Sequence, residues 1–358
     1  MKKLKVGIIG LGGISTISHM PAYKKMDNVD VVAICDIVPE KIDKFKEKFD
    51  LSSVNTYTDY SKMIKKEELD FVDICTPNYL HSIIAVEALE KGFHVFCEKP
   101  DAISTEEAEK MKKAADKSGK HLMVMRNNRY RATSKYLKKY IDDGKMGEIY
   151  CGRCGWQRRR GIPGKGGWFT TKELSGGGPL IDLGVHMLDL AIWLMGNPIP
   201  VAVSGSTYCK FADSNVSDSI HSEFGEKKDD GIFDVEDLAM GFIKFSNGAC
   251  LQIEFSWASN IDHEKTFVEL RGTKAGSDFN TDTNRLNIFT EDNGELINIT
   301  PSADDSKCMS IHEANIRHFV DVLINGTTPD FEPIQGVNMI KILSAMYESA
   351  KTGYEVRL

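Results

Sequence analysis

The chain has 358 residues, of which 41% are hydrophobic and 27% are charged, the composition of an ordinary globular protein with one elaborated domain or two. Its formal net charge of -7 disfavours nucleic acid or an anionic membrane surface as the main partner. No uncharged apolar run approaches the roughly 18 residues of a bilayer span, and the basic start leads into a strand pattern rather than a signal peptide. We therefore expect a cytoplasmic protein that binds neither nucleic acid nor membranes.

Eight cysteines are scattered along the chain, and several of them lie in apolar, strand-like runs. We expect them to be reduced thiols, many of them in the core. Cys151 and Cys154 form a CxxC pair. Because there is no second pair and no nearby histidine at zinc-finger spacing, we expect neither a metal site nor a redox centre there.

The first 126 residues alternate short apolar runs with helical patterns. Strands are predicted at residues 5–10, 30–36, 71–76, 94–98 and 121–125, and helices at 14–26, 39–49, 79–91 and 104–118. Repeated strand–helix units with nearly continuous apolar strands indicate a parallel sheet covered on both faces. We therefore expect a doubly wound α/β domain over residues 1–126.

The pattern changes after about residue 130. Two hairpins are predicted, with strands at 239–246 and 249–257 around Asn247-Gly248 and at 286–291 and 295–300 around Asn293-Gly294. Residues 201–211 and 266–271 also read as strands, 213–234 as a long surface loop, and 312–325 and 334–351 as closing helices. We expect an α+β domain over residues 127–358, with an antiparallel sheet and helices on one of its faces.

Residues 176–196 carry the strongest functional signal of the chain. A helix apolar around almost its whole circumference is predicted between Pro179 and the Gly196-Asn197-Pro198 stop, and such a helix is buried. Asp182, His186 and Asp189 interrupt it at i, i+4 and i+7, the spacing of one helix face. Charged groups in a core are costly unless they are paired, so this face indicates acid–base chemistry or, alternatively, a core histidine held by neighbouring aspartates.

A glycine-rich turn follows the first predicted strand. Gly10, Gly12 and Ser15 match G-x-G-x-x-S, close to the dinucleotide fingerprint, in which glycines allow a tight turn and bring the backbone close to a pyrophosphate. Asp36 ends the second strand, where an acid accepts hydrogen bonds from the adenosine ribose and repels a 2′-phosphate, so NAD is favoured over NADP. The alternative for Asp36 is an ordinary acid at a strand end.

Two further strand ends lie where an open parallel sheet binds its ligands. The segment CTPNYLH follows the strand that begins at residue 71, and Glu98-Lys99-Pro100 follows the strand at 94–98. Lys99, kept extended by the proline after it, is expected beside the nicotinamide; the alternative is an exposed surface lysine. The expected cofactor-binding residues are Gly10, Gly12, Gly13, Ile14, Asp36, Thr76, Pro77, Asn78, His81, Glu98, Lys99 and Asn127.

Together these motifs resemble the Gfo/Idh/MocA family, the relatives of glucose–fructose oxidoreductase and inositol dehydrogenase. The resemblance covers essentially the whole chain, through VGIIGLGGIS, CTPNYLH, FCEKP, MVMRNNRYR and GGGPLIDLGVHMLDLAIWLMG. It implies an N-terminal Rossmann domain and a C-terminal α+β domain built on a large, mostly antiparallel open sheet. It also implies NAD(P), a sugar or polyol substrate, and a homodimer or homotetramer formed through that sheet.

The resemblance assigns the catalytic set to Lys99, Asp182 and His186. Oxidation of a secondary alcohol needs a base for the hydroxyl proton, and an imidazole, which titrates near neutral pH, suits that task. The Lys99 ammonium would stabilise the developing alkoxide, and Asp182 would orient His186 or bind a neighbouring hydroxyl. Asp189 is interpreted as a supporting or structural residue.

Substrate recognition is expected from the catalytic set and from two further regions. Asn127 and Asn128 stand where the family pattern often has a bulky or arginine side chain, and Asn128 is expected to face the substrate. The segment 156–173 contains three arginines, Lys165 and Trp168, and either binds an anionic group, a sugar ring or a neighbouring subunit or forms a solvated charge run. The expected substrate-binding residues are Lys99, Asn128, Arg158, Trp168, Asp182 and His186.

Three functions are compatible with these motifs. The favoured one is an NAD-dependent dehydrogenase that converts a secondary hydroxyl of a sugar, inositol or related compound to a ketone. A lyase or glycosidase that oxidises its substrate transiently is the second, and a non-catalytic NAD-binding regulator is the third. The regulator is disfavoured because a sensor needs none of Lys99, Asp182 and His186.

Overall fold

The computed structural model describes residues 3–303 and 308–358, which fall into two compact units. The first unit holds the chain up to Met125 together with His312–Val337; the second holds the described parts of Arg126–Ile311 and Asn338–Leu358. The predicted division between residues 126 and 127 differs from these units in the segment 312–337. Phe319 packs in the first unit, with its ring 5.3 Å from that of Phe71 and 5.2 Å from that of Phe96.

The first unit contains a six-stranded parallel sheet in the order β3-β2-β1-β4-β5-β6. Its strands are β1 (Leu4–Ile9), β2 (Val29–Cys35), β3 (Asn55–Tyr57), β4 (Phe71–Ile74), β5 (His94–Cys97) and β6 (Leu122–Val124). The central strands are almost wholly buried, because helices cover both faces of such a sheet. The predicted doubly wound α/β fold is confirmed, and among the strands of this sheet only the short edge strand β3 was not predicted.

The helices of the first unit follow the predicted pattern, except that the helix between β3 and β4 was not predicted. They are α1 (Met20–Lys24, preceded by a π-helical turn at Ser15–His19), α2 (Pro39–Phe49), α3 (Tyr60–Lys66), α4 (His81–Lys91) and α5 (Thr105–Ser118). Ser104 caps α5 by accepting a hydrogen bond from the backbone N–H of Glu107, and Gly119 ends it in the left-handed conformation.

The second unit is built on a nine-stranded sheet in the order β14-β13-β12-β11-β7-β10-β9-β8-β15. Its strands are β7 (Ile149–Gln157), β8 (Pro200–Tyr208), β9 (Leu238–Phe245), β10 (Cys250–Ser256), β11 (Lys265–Gly272), β12 (Ala275–Asn280), β13 (Arg285–Asp292), β14 (Glu295–Ile299) and β15 (Val356–Arg357). All its strand pairs are antiparallel except β7 with β10. The predicted large, mostly antiparallel sheet is confirmed, including both Asn-Gly hairpins.

Strand β7 lies in the middle of this sheet but was not predicted, because glycines interrupt its apolar pattern. A Cβ atom at Gly152 would lie 2.8 Å from the carbonyl oxygen of Glu269, and one at Gly155 would lie 2.7 Å from that of Glu254. These glycines therefore permit the close approach of the neighbouring strands. Their role depends on residues about 100 positions away in sequence, which a local pattern does not contain.

The helices of the second unit include the segment with the strongest functional signal. They are α6 (Ala132–Asp142), α7 (Lys172–Ser175), α8 (Pro179–Asp182) and α9 (Gly184–Leu194). The chain closes with α10 (Ile311–Asn325) and α11 (Pro333–Thr352). In the described ranges no single helix has the length and apolarity to cross a bilayer; the bent pair Lys172–Asp182 and Gly184–Leu194 meets that test by length and composition alone.

The prediction of one continuous helix from Pro179 to the Gly196 stop is wrong. The helix breaks at Leu183, and the segments on either side are inclined by 49°. The carboxylate of Glu236 fixes the first segment by accepting hydrogen bonds from the N–H groups of Gly178 and Leu180 at 3.0 and 3.1 Å. Asp182 and His186 therefore lie on two helices rather than on one helical face.

Candidate active site

The glycine turn after β1 has the backbone geometry that the fingerprint predicts. Gly10 has a φ of +93°, and a Cβ there would lie 2.5 Å from the carbonyl oxygen of Cys75, so only glycine fits. Nothing lies within 4 Å of the Cβ positions of Gly12 and Gly13. The turn is thus closely packed against β4 but open around the next two glycines, which leaves room for a phosphate at the start of the helix.

Asp36 braces this turn from the end of β2. One carboxylate oxygen accepts a hydrogen bond from the N–H of Leu11 at 2.9 Å, and the other accepts one from Val38 at 2.9 Å. Each oxygen of an ionised carboxylate has a further lone pair. Asp36 therefore has a structural role here and retains the capacity to accept a hydrogen bond from a ribose hydroxyl.

The segment after β4 combines a tied histidine with an unsatisfied hydroxyl. The ring nitrogens of His81 lie 2.7 Å from the carbonyl oxygen of Pro100 and 2.9 Å from that of Thr76. Burial lowers the pKa of His81, although both carbonyls favour its cation. Among the residues that the structure describes, the buried Oγ1 of Thr76 has no hydrogen-bond partner, which marks it as a group able to bind a polar ligand. Pro77 and Asn78 lie in the turn that leads into α4.

Lys99 follows β5 and rests on a buried carboxylate. Its side chain is half-buried, its backbone N–H donates to Glu98 at 3.1 Å, and its peptide bond to Pro100 is cis. The other carboxylate oxygen of Glu98 lies 2.9 Å from Nε2 of His19. Although burial opposes ionisation, the hydrogen bond and charge of His19 lower the pKa of Glu98 to about 2.

His19 is the centre of a buried polar network that the sequence reasoning missed. Its Nδ1 lies 2.8 Å from Asp73, which also accepts a hydrogen bond from Tyr23 at 2.9 Å. Burial acts to lower the pKa of His19, but the Asp73 carboxylate raises it well above its ordinary value. Because each ring nitrogen faces a carboxylate, the network favours the imidazolium form of His19. Its partners lie 54 and 79 positions away, so no local motif reveals them.

The same network contains the one group among the described residues with the spacing of metal ligands. Ligand atoms of His19, Asp73 and Cys75 lie within 4.8 Å of one another. Both nitrogens of His19 already face carboxylates at hydrogen-bond distance, and burial raises the pKa of the Cys75 thiol to about 12. A protonated thiol and an imidazolium do not bind metals. We therefore interpret this group as a hydrogen-bonded ion network.

Asp182 and His186 belong to the second unit, on either side of the helix break. Asp182, at the end of α8, accepts a hydrogen bond from Nε1 of the buried Trp257 at 3.0 Å. His186, in the first turns of α9, is half-buried and its ring lies 5.9 Å from that of Trp156. A tryptophan thus orients Asp182 and another lies beside His186, and both residues remain partly exposed.

Asp189 has a different environment. It lies on α9 and forms buried ion pairs with two arginines of the turn after β6, at 2.9 Å from Arg126 and 2.6 Å from Arg129. These pairs connect α9 to that turn, so Asp189 is a structural residue. Asn127 and Asn128 are buried in the same turn, and Asn128 accepts a hydrogen bond from Arg131 at 3.0 Å.

Most basic side chains of the segment after β7 form contacts with other residues of the same chain. Arg158 is buried, with Nη1 3.2 Å from the carbonyl oxygen of Gly161, and burial lowers its pKa although Asp182 and Glu264 favour the cation. Arg160 and Lys165 donate to backbone carbonyl groups. Trp168 stacks on Phe169 with 3.8 Å between ring centroids. These residues therefore do not form a freely solvated run of charges.

A cluster around Trp156 was not predicted. Nε1 of Trp156 donates to Glu264 at 2.6 Å, and the same carboxylate oxygen of Glu264 lies 3.5 Å from Nε2 of His221. His221 comes from a short turn at Ile220–Glu223, within the long loop predicted at 213–234. The carboxylate of Asp237 closes the neck of this loop, because it accepts hydrogen bonds from the N–H groups of Lys210 and Phe211.

Most of the predicted site residues thus form one group in each unit. In the first unit the structure brings together the glycine turn with Asp36, and the strand ends with Thr76, His81, Glu98 and Lys99. In the second unit Asp182, His186 and Arg158 share the surroundings of Trp156 and Trp257. For the Trp156 cluster the sequence offered only partial signals: Trp156 begins the segment singled out for substrate recognition, and Glu264 precedes the strand predicted at 266–271.

Comparison with known proteins covers both units. A family model described as "Oxidoreductase family, NAD-binding Rossmann fold" (GFO_IDH_MocA) matches residues 4–126, and a GFO/IDH/MocA C-terminal domain model matches residues 134–277. The chain is 35% identical over 358 residues to D-glucoside 3-dehydrogenase of Escherichia coli K12, covering 99% of this chain and 97% of that protein. It is 31% identical to levoglucosan dehydrogenase of Pseudarthrobacter phenanthrenivorans, covering 78% and 74%.

Solved structures agree with the fold. An oxidoreductase domain protein from Kribbella flavida matches with a TM-score of 0.86 at 24% identity, covering 100% of this chain and 99% of that one. A levoglucosan dehydrogenase in complex with NADH matches with a TM-score of 0.86 at 24% identity, covering 99% of both chains.

Proposed function

Because the chain belongs to the Gfo/Idh/MocA family of NAD-binding oxidoreductases, we propose that it is an NAD-dependent dehydrogenase of sugars, inositols or related polyhydroxy compounds. It oxidises a secondary hydroxyl to a ketone, reversibly. The observation that carries this proposal is the 35% identity along nearly the full length of a D-glucoside 3-dehydrogenase. This similarity favours net oxidation over the lyase or glycosidase and over the non-catalytic regulator.

The first unit has the features that NAD needs. The turn is open at Gly12 and Gly13, and Asp36 lies at the end of β2. Among the described residues, the buried Oγ1 of Thr76 has no hydrogen-bond partner, so it is able to bind a polar group of the cofactor. The nicotinamide of bound NAD supplies the acceptor for the hydride that leaves the substrate carbon. The proposed cofactor-binding residues are Gly10, Gly12, Gly13, Ile14, Asp36, Thr76, Pro77, Asn78, His81, Glu98, Lys99 and Asn127.

Three side chains carry the proposed chemistry. His186 accepts the proton of the reacting hydroxyl, because it is a half-buried imidazole whose surroundings leave part of the ring open to substrate. Lys99 stabilises the alkoxide that develops on that oxygen. Asp182, oriented by Trp257, binds the hydroxyl beside it or orients His186. Asn128, Arg158 and Trp168 are the other proposed substrate-binding residues.

The second unit also offers a surface for self-association. Strands of its nine-stranded sheet expose large apolar side chains, among them Tyr150, Met240, Phe242 and Phe289. Such side chains on one sheet are typical of a contact between subunits. We therefore propose a homodimer or homotetramer formed through this sheet, to be checked by sedimentation of the Phe242→Lys variant. No disulfide joins any of the eight cysteines, all of which lie in the described ranges, and this suits the cytoplasmic location expected from the sequence.

The test of the proposed activity is the formation of NADH by purified protein. Inositols, aldoses, sugar acids, anhydro-sugars and alkyl glucosides are each offered with NAD and with NADP. We expect absorbance at 340 nm to rise with NAD and at least one glucoside or other cyclic polyol. Absence of NADH with every compound, while NAD still binds, would contradict the dehydrogenase and support the transient-oxidation or regulatory alternatives.

A further inference from the structure

Trp156 begins the segment 156–173 that the sequence suggests for substrate recognition, although it is not among the residues singled out there. It lies near the end of the central strand β7 and is half-buried, so part of its ring is open to solvent. The ring lies 5.9 Å from that of His186, at an interplanar angle of 56°. An aromatic surface therefore adjoins the proposed base, where the reacting ring of a substrate has to lie.

The orientation of Trp156 is fixed from two sides. Its Nε1 donates to Glu264 at 2.6 Å, and the guanidinium of Arg158 lies over the ring, 5.0 Å from its centroid. His221 meets the ring edge-on at 5.9 Å. A tryptophan held by a hydrogen bond, a cation and a second aromatic ring has little rotational freedom, which lowers the entropy cost of binding a ligand against it.

The carboxylate of Glu264 is able to accept further hydrogen bonds. Its Oε1 receives Trp156 Nε1 and lies 3.5 Å from His221 and 3.7 Å from Arg158. Burial acts to raise its pKa, but the hydrogen bonds from His221 and Trp156 lower it. An ionised carboxylate has about four acceptor sites on two oxygens. Glu264 is therefore able to accept hydrogen bonds from a substrate hydroxyl as well.

We propose that Trp156 is the surface on which the substrate ring packs beside His186, and that Glu264 accepts a hydrogen bond from a hydroxyl of that ring not being oxidised. His221, carried by the long loop, is a positioning residue for Glu264. This inference rests on the proposed function and names its substrate class as a pyranoside ring. Such a ring presents apolar C–H groups to an aromatic face and hydroxyls to a carboxylate, as polar groups in mostly apolar ligand sites do.

The arrangement separates this role from that predicted for Trp168. Trp168 stacks on Phe169, whereas Trp156 contacts the ring of the proposed base. Trp156 is also connected to the loop at 213–234 through Glu264 and His221. A change in that loop would therefore move Glu264 and, through it, Trp156. For this reason we expect Trp156, Glu264 and His221 to determine substrate specificity.

The first experiment compares Trp156→Ala and Trp156→Phe with the parent, using methyl β-D-glucopyranoside and NAD. We expect Trp156→Ala to raise KM about tenfold or more, the loss of roughly 1.4 kcal/mol of binding, with kcat changed much less. Trp156→Phe keeps an aromatic ring and should recover part of the affinity. Trp193→Phe, a half-buried tryptophan of α9 beside Arg129 and Lys138, is the matched control and should leave KM unchanged.

An unchanged KM in Trp156→Ala, with the parent active, would overturn the inference while leaving the proposed function intact. A parent that produces no NADH with any compound would instead contradict the proposed function. In that case calorimetric titration of methyl β-D-glucopyranoside into NADH-loaded parent and Trp156→Ala still decides the inference. Binding that depends on Trp156 supports it, and equal binding or none overturns it.

Glu264 is tested by a series of deoxy-glucosides. Glu264→Gln should weaken binding of the full glucoside but hardly affect the one analogue that lacks the hydroxyl bound by the carboxylate. His221→Gln should raise KM in the same pattern and less strongly, because it acts through Glu264. Equal losses for every deoxy-glucoside would show a merely structural role and overturn the assignment. Melting temperature and NAD affinity verify that each variant is folded.

Discussion

His186 lies at the beginning of α9 and is half-buried, at the position that the sequence predicts for the base. We expect His186→Ala to lose nearly all turnover, since positioned proton transfer contributes about 10²- to 10⁴-fold. NAD affinity should be unchanged. Turnover is measured by NADH formation and affinity by fluorescence titration, with the exposed His263→Ala as control. Turnover near that of the parent would remove His186 from the role of base.

The second prediction concerns Asp36 and the preference for NAD over NADP. Asp36→Ala combined with Ile37→Arg, at a position that is 78% exposed, should shift preference from NAD towards NADP because the repulsion of a 2′-phosphate is replaced by attraction. The readout is the ratio of kcat/KM for the two cofactors, with Ile37→Arg alone as control. Since Asp36 also binds the N–H groups of Leu11 and Val38, some loss of stability is expected. An unchanged ratio would mean that Asp36 does not reach the ribose.

The low pKa of Glu98 predicts that the thermal stability of the protein depends on pH. Its pKa in the folded protein is about 2, below the ordinary value of 4.5, so the unfolded chain binds its proton first as the pH falls. The stabilisation by this carboxylate is therefore complete above pH 4.5 and is lost as the pH falls through 2. We expect the difference in melting temperature between parent and Glu98→Gln to be large at pH 6 and to shrink progressively below pH 4.5. A difference independent of pH would contradict the ion pair with His19.

At the scale of elements, the start of α8 depends on a glycine packed against the backbone of Glu236. A Cβ at Gly178 would lie 2.0 Å from the carbonyl oxygen of Glu236, whose carboxylate also receives Tyr347 at 2.9 Å. Gly178→Ala should therefore lower the free energy of unfolding by about 1–3 kcal/mol, the cost of overpacking. Gly184→Ala in α9, where the Cβ would meet Phe255 at 3.4 Å, is the control. Equal urea midpoints for both variants would contradict this account.

Local pattern was sufficient to predict those elements whose stability is local. β1, α2, α5 and both Asn-Gly hairpins follow from apolar runs, caps and turn residues, and the structure confirms them. The start of α8, by contrast, is bound by Glu236, more than 50 positions away, and β7 depends on glycines fitted to neighbouring strands. Lys99 and His186 were identified by motif, but His19, Trp156 and Glu264 are connected only through tertiary contacts.

At the scale of the whole molecule, the chain returns to complete its first unit. Phe319 of α10 is fully buried and packs on rings of β4 and β5, and Glu313 pairs with Lys25 at 2.7 Å. Phe319→Ala should cost about 3–5 kcal/mol of stability, as large truncations in cores do, and should weaken NAD binding. Urea unfolding with and without NAD measures both effects, with the half-exposed Ile83→Ala as control. Unaltered stability would show that the return segment is dispensable.

The neck of the long loop has a consequence for how such an enzyme diversifies. Asp237 binds the N–H groups of Lys210 and Phe211, so the two ends of the loop are fastened together beside the sheet. The part of the loop before Glu236, which itself binds the start of α8, is therefore a segment that can be exchanged while β8 and β9 stay in place. Transplanting this stretch from a relative, with Asp237 kept, would carry a different His221 equivalent to the substrate. New substrate preferences are thus reachable by recombination of one segment, without redesign of the scaffold.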